Sequence, residues 1–310
     1  MSERLLEIFA TADIPSGQGH YAERFDASHP LLMPFNAYVN LAYTAVGVVW
    51  LLRLRFQPNP IHSNRAIHNA YLLYYLAFAW AAIGYSFIQF QRITTQDRFW
   101  GLLDQWVTLP IFALVPAWTF AIHRNFTQTA AKPAIHVATA AFLLAASALS
   151  YFAEAFFPRG FEISLGIHIV LAAYCAQTLV RDAYAAFCRQ RSSSAKDKSN
   201  ANFKPIAFAL LLPVFGALVS CLGFVFLKIY DFEVTAHLDS LQLDASIFHT
   251  GHPEEGSISA AEGAADSLLT NQGRITGHFL SKICDAMQIH FMLLFFTRVV
   301  AHVHVKDRKD

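Results

Sequence analysis

Charge is what this chain has least of. Asp, Glu, Lys and Arg make up 15% of its 310 residues, against 55% hydrophobic, and the formal net charge is +1. So apolar a chain is neither an ordinary soluble domain nor a disordered segment. Near-neutrality leaves no basic footprint for nucleic acid. Cysteine is scarce too. Cys175, Cys188, Cys221 and Cys284 all lie in or beside apolar runs, and none forms a CxxC pair. That spacing argues against a disulfide framework or a zinc finger. The opening residues, MSERLLEIFATADIPSGQGH, hold one short apolar patch broken by Glu7, so they do not read as a secretory signal. No internal repeat is visible.

Long apolar runs are what the chain does have. Seven of them cover roughly 33–54, 67–90, 101–123, 134–156, 163–187, 205–229 and 277–303. A helix needs about 20 such residues to cross the hydrocarbon core. The expected architecture is therefore all-α, an integral membrane bundle of seven transmembrane helices over 33–303. Residues 1–32 read as an exposed tail and 304–310 as a second tail. Residues 189–204 form a Ser- and Lys-rich linker, and 231–275 a long acidic loop poor in core-forming residues. Pro110, Pro116 and Pro213 fall inside runs, where membrane helices tolerate them.

Loop charge sets the orientation. The loops on one side, with the C-terminal tail, hold fifteen Lys and Arg; those on the other hold six. The basic side is expected in the cytosol, and the N-terminus in the lumen or outside the cell. On that outer side the polar residues gather. Asn36 and Asn40 share a helix face at i, i+4, as do Asp104 and Thr108. Ser86, Gln89 and Gln91 end the second run, and Lys228 and Asp231 end the sixth. The last run begins with His278, Lys282 and Asp285 at i, i+4 and i+7, with His290 deeper and about 140° round the helix. Polar side chains at membrane depth face a bundle interior or a watery cavity. A buried cluster near the outer leaflet follows, with a Lys282–Asp104 or Lys282–Asp285 ion pair as its expected core. His168 is a further candidate member. The aromatics Phe87, Phe90, Phe99, Trp100, Trp106 and Trp118 are assigned to interfacial belts and lipid contact. No DRY or NPxxY stands where a G-protein-coupled receptor would need it.

Five stretches carry a resemblance: LLMPFNAYVNLAYTAVGVVWL, LLDQWVTLPIFALVPAW, FPRGFEISLGIH, SCLGFVFLKIYD and GHFLSKICDAMQIHF. In these the chain resembles the transmembrane protein 187 family. The resemblance implies membranes of the secretory route, Golgi or plasma membrane, and no particular reaction.

A more distant similarity is to seven-helix lipid hydrolases related to alkaline ceramidases and adiponectin receptors. These place a Ser, an Asp and three His around zinc. Asn36, Asn40, Ser86 and Asp104 match that pattern, and His278 matches the first His of the last motif. The second His falls on Lys282, and the second-run His on Gln89 or Gln91, with His290 as a stand-in. A catalytic zinc takes about three protein ligands. Two readings therefore stand. One is a non-enzymatic membrane protein binding membrane lipids or a protein partner in a polar cavity, with no cofactor. The other is a divergent hydrolase of lipid amides or esters. There Asp104 or Asp285 would act as base, Ser86 as oxyanion donor, and His278 and His290 as zinc ligands or proton carriers.

Overall fold

Apolar sequence with a helical rise and no strand-forming alternation makes helices, and a bilayer demands that each close its own backbone hydrogen bonds. The computed structural model describes residues 22–23, 31, 33–56, 65–127, 133–155, 159–193, 204–240 and 275–303. Among them the order is α1 (Pro34–Tyr38), α2 (Leu41–Phe56), α3 (Arg65–Thr95), α4 (Arg98–Thr127), α5 (Pro133–Ser150), α6 (Gly160–Ser193), α7 (Lys204–Ile229), α8 (Asp231–Ser240) and α9 (Gly277–Val303). A 3-10 turn, Tyr151–Ala155, extends α5.

Among the described residues six spans are long and apolar enough to cross a membrane: Pro34–Phe56, Tyr71–Thr95, Arg98–His123, Gly160–Ala185, Leu210–Ile229 and Gly277–Val300. The remaining apolar helix is shorter, Val137–Ala153. The 18 residues of α5 rise about 27 Å at 1.5 Å each. The 3-10 turn adds about 2 Å per residue, so the two together match a hydrocarbon core of about 30 Å. The fold is a seven-helix membrane bundle.

Helix α9 is its axis, in contact with α1, α2, α3, α6, α7 and α8. Its broadest contact is with α7, where small residues let the backbones close. A side chain at Gly223 would stand 3.0 Å from Cys284 Sγ, and one at Gly216 would stand 2.8 Å from the Phe291 ring. Away from α9, α7 presents Leu211, Phe215, Leu218, Leu222 and Phe226 outward. In water that face would be untenable; in lipid it is the ordinary one.

Trp118 departs from its expected place in an interfacial belt. It is fully buried, stacked on Phe296 at 4.3 Å and edge-on to Tyr75 at 4.5 Å. Phe90 packs on the buried Met33, Ala37 and Ile93 rather than standing in lipid. Phe87, Phe99 and Trp106 are exposed. Hydropathy cannot separate these positions, because lipid and core are equally apolar. Two boundaries also change. The stretch read as a loop from 231 opens with the helix α8, and α6 runs into the expected linker as far as Ser193.

Candidate functional site

The turn from α3 to α4 builds the centre of the cluster. It has two residues, Gln96 and Asp97. Gln96 takes the left-handed conformation (φ 54°), and its side-chain amide donates to the Ile93 carbonyl at 2.7 Å. Asp97 caps α4 by accepting from Phe99 N at 2.9 Å. So tight a turn lays the end of α3 against the start of α4, and Gln89 and Arg92 meet Asp104. Arg92 forms an ion pair with the Asp104 carboxylate, and the Gln89 amide also donates to it.

Gln89 is the hub. Its nitrogen also donates to the Tyr85 hydroxyl at 2.8 Å, and its oxygen accepts from Lys282 Nζ at 2.9 Å. Gln89, Asp104 and Lys282 are all nearly fully buried. A buried charge is tolerated when its hydrogen-bonding capacity is met. Among the described residues Lys282 is held by an amide, not by the expected ion pair with Asp104 or Asp285, and Asp104 takes Arg92 as its cation. Asp285 instead accepts from the Tyr43 hydroxyl at 2.6 Å. The Tyr43 and Tyr85 rings meet edge to face at 5.2 Å, closing the space between the two branches.

Beside this lies a second polar seam. Ser86 Oγ donates to the Asn40 carbonyl at 2.6 Å and accepts from Thr44 Oγ1 at 2.8 Å. Asn40 Nδ2 donates to the Asn36 carbonyl at 2.8 Å. These contacts join α1, α2 and α3 and engage Ser86 in packing.

Above the seam, two buried carboxylates clasp helix ends. Glu23 accepts from Phe35 N at 2.9 Å and Asn36 N at 2.7 Å, at the start of α1. Asp231 accepts from His278 N at the start of α9 and from Ala22 N at 2.9 Å. Free amides at helix N-termini favour such anions. Burial nevertheless dominates. It raises the Glu23 carboxyl to about 7 against the pull of the two amides, and it raises Asp231 as well. Gly277 is required here, because a side chain would stand 2.8 Å from the Asp231 Cα. Ala22 and Glu23, expected in an exposed tail, are thus buried against the bundle.

Deeper in the membrane, a groove opens among α3, α4, α6 and α9. Its walls are mainly apolar, including Phe78, Ile111, Val115, Ala172 and Met292; Tyr85, Thr108, Asp285 and Gln288 bring polar groups to it. Its empty space is about 540 Å³, of which about 70 Å³ admits the centre of a water molecule. One water needs about 10–15 Å³ by that measure, so the groove has room for several.

Asn36, Asn40, Ser86, Gln89, Asp104, His278, Lys282 and Asp285 therefore all lie toward the same end of the bundle. His290 does not join them. Trp50 Nε1 donates to its Nδ1 at 3.2 Å, toward the opposite end of α9. His168 pairs with Ser147 at 2.6 Å and with the Ser164 carbonyl at 2.7 Å, also apart from the cluster. Twelve residues of helix separate His278 from His290, about 18 Å. Among the described residues no three His, Cys, Asp or Glu side chains converge as metal ligands. Those residues do not fit the zinc set of the hydrolase reading. Tyr43, Tyr85, Arg92 and Glu23 escaped the sequence reading. The first two share the apolar pattern of their helices, Arg92 reads as a loop charge, and Glu23 falls in an apparent tail. Only the i, i+3 spacing of Gln89 and Arg92 was a signal.

Fold and site together define a multi-pass helical membrane protein with a polar cluster buried toward one end of its bundle. A family model described as the TMEM187 protein family matches residues 1–192. The chain is 30% identical over 297 residues to transmembrane protein 187 of Homo sapiens, covering 95% of this chain and 86% of the relative. To transmembrane protein 187 of Bos taurus it is 31% identical over 293 residues, covering 94% and 88%. No solved structure matches. The chain belongs to the transmembrane protein 187 family.

Proposed function

We propose that this protein binds a membrane lipid in the groove among α3, α4, α6 and α9, without chemical turnover. The observation that carries the reading is the groove itself: apolar walls at membrane depth, with Asp285, Gln288, Tyr85 and Thr108 at one place. Ligand pockets combine a mainly apolar lining with a few polar groups in this way. Ser86 and Asp104, the residues a hydrolase would use, are engaged in helix packing and an ion pair. In this reading the N-terminus and the 231–276 side face the lumen or exterior, the basic side faces the cytosol, and the protein resides in the secretory pathway, in Golgi or plasma membrane.

Native mass spectrometry of the purified full chain tests it. Wild type should carry a co-purifying lipid. Ala172→Trp, which fills the groove, should lose most of it, while Leu222→Trp on the lipid-facing side of α7 should not. Equal lipid retention by all three proteins would sink the reading. So would turnover of a lipid amide or ester that Asp104→Asn abolishes.

A further inference from the structure

Far from the polar cluster, α6 turns a polar stripe toward α7. Tyr174, Gln177, Thr178, Arg181 and Tyr184 stand at i, i+3, i+4, i+7 and i+10, so they share one helix face. With Val180, and with Leu210 and Leu211 of α7, they line a space of about 960 Å³. It shares no lining residue with the groove among α3, α4, α6 and α9. The span ends at Ala185, so Arg181 lies about 6 Å inside it.

Polar side chains between membrane helices ordinarily bond across to the neighbouring helix. Here the described part of the opposite wall is Leu210 and Leu211. Among the described residues no side-chain hydrogen bond holds Tyr174, Gln177 or Tyr184. Thr178 donates to the Cys175 carbonyl of its own helix. Arg181 meets Asp182 through Nε at 3.7 Å, and its side chain stays 74% exposed. A guanidinium has five N–H donors, so its terminal nitrogens still have four to offer. Asp182 also faces His123, at 3.1 Å.

Depth sorts these groups in the order of a phospholipid. Counting inward from the end of the span come Tyr184 and Arg181, then Thr178 and Gln177, then Tyr174, about 15 Å from Tyr184 along the helix. Arginine presents a fork of donors that fits a phosphate. Gln177, one turn deeper, can donate to an ester carbonyl, and an acyl chain can lie along Val180, Leu210 and Leu211. The charge of this end completes the match. Its loops and tail hold fifteen Lys and Arg against four acids, Asp182, Asp197, Asp307 and Asp310. Arg181 and Asp182 offset each other, so the excess comes from the rest of that end. Basic pockets between membrane helices take anionic head groups. A zwitterionic head carries its own ammonium into the same field, whereas a singly negative head does not.

We propose that the space between α6 and α7 is a second lipid site, separate from the groove, for a phospholipid of net negative charge whose phosphate is held by Arg181.

The test uses the full chain in detergent and three diacyl probes with a diazirine on one chain: phosphatidylglycerol, phosphatidylcholine and diacylglycerol. Phosphatidylglycerol should label within 174–184 or 210–211. Phosphatidylcholine should label there several-fold more weakly, and diacylglycerol least. Without the charge-assisted hydrogen bonds of the guanidinium, Arg181→Gln should lower phosphatidylglycerol labelling about tenfold. Arg181→Lys should restore only part of it, because the fork is lost. Leu211→Trp should exclude all three probes, while Ala172→Trp, which fills the groove, should leave labelling here as in wild type. Equal labelling by the three probes in wild type would mean ordinary boundary lipid and overturn the proposal; that comparison needs no variant to fold. Selectivity that survives in Arg181→Gln would overturn the assignment of the phosphate to Arg181. No labelling of either segment would overturn this site and leave the groove reading standing. Loss of the groove reading by mass spectrometry, with labelling here retained, would leave this site standing alone.

Discussion

Gln89 shows how one uncharged side chain can manage several charges. Its amide contacts Asp104, Tyr85 and Lys282 at once, all out of water. Leucine at this position would keep the volume and delete every contact. Lys282 would lose its amide partner in a buried setting, and Asp104 would lose one donor while keeping Arg92. Leaving buried charged groups short of partners costs roughly 2 kcal/mol or more. Gln89→Leu should therefore melt well below wild type in detergent, while Gln91→Leu, two residues along from the hub, should melt close to it. Equal melting of Gln89→Leu and wild type would show that the hub does not hold the bundle. Interhelical hydrogen bonds in membranes are often worth well under that figure; here the charges they satisfy make the difference.

Among the helices, the clasp at the starts of α1 and α9 joins elements distant in sequence. Glu23 holds the start of α1, and Asp231 holds both Ala22 and the start of α9. Glu23 is raised from an ordinary 4.5 to about 7, mainly by burial. The docked segment therefore binds the proton more tightly than the released one. Docking is at full strength below about pH 4.5, weakens as pH rises toward 7, and stays weak above it. The shift is worth on the order of 3 kcal/mol. Burial raises Asp231 too, which adds in the same direction. Melting temperature should fall between pH 5 and 7.5, and Glu23→Gln, lacking the titration, should show a flatter profile. A wild-type profile that Glu23→Gln leaves unchanged would rule out the clasp as the origin.

At the level of the whole molecule, the membrane decides what counts as inside. The spans bury between 17% and 56% of their most apolar windows, so much apolar surface faces lipid. In the proposed orientation, an odd number of spans puts the two chain ends on opposite sides, and the excess of Lys and Arg in one set of loops assigns that set to the cytosol. An epitope tag placed within 241–274 should be protected from protease in sealed microsomes, and a C-terminal tag should be digested. The reverse pattern would invert the proposed orientation and place the polar cluster near the cytosolic leaflet.

The local physics of the chain determined the spans and the gathering of polar residues at one end of them. Run length against bilayer thickness is a one-dimensional property, and so is the alternation of sides along the chain. Asn36, Ser86, Asp104 and Lys282 could be placed at one depth on that basis alone. Their partners could not. A hydrogen bond depends on helix rotation and approach, set by the short α3–α4 turn and by glycine contacts between α7 and α9. Only tertiary structure gave Lys282 to an amide, buried Trp118 away from lipid, and drew Glu23 out of an apparent tail. The reason is common to all three. Hydropathy reports that a side chain avoids water, and in a membrane protein that does not say whether it meets lipid or another helix.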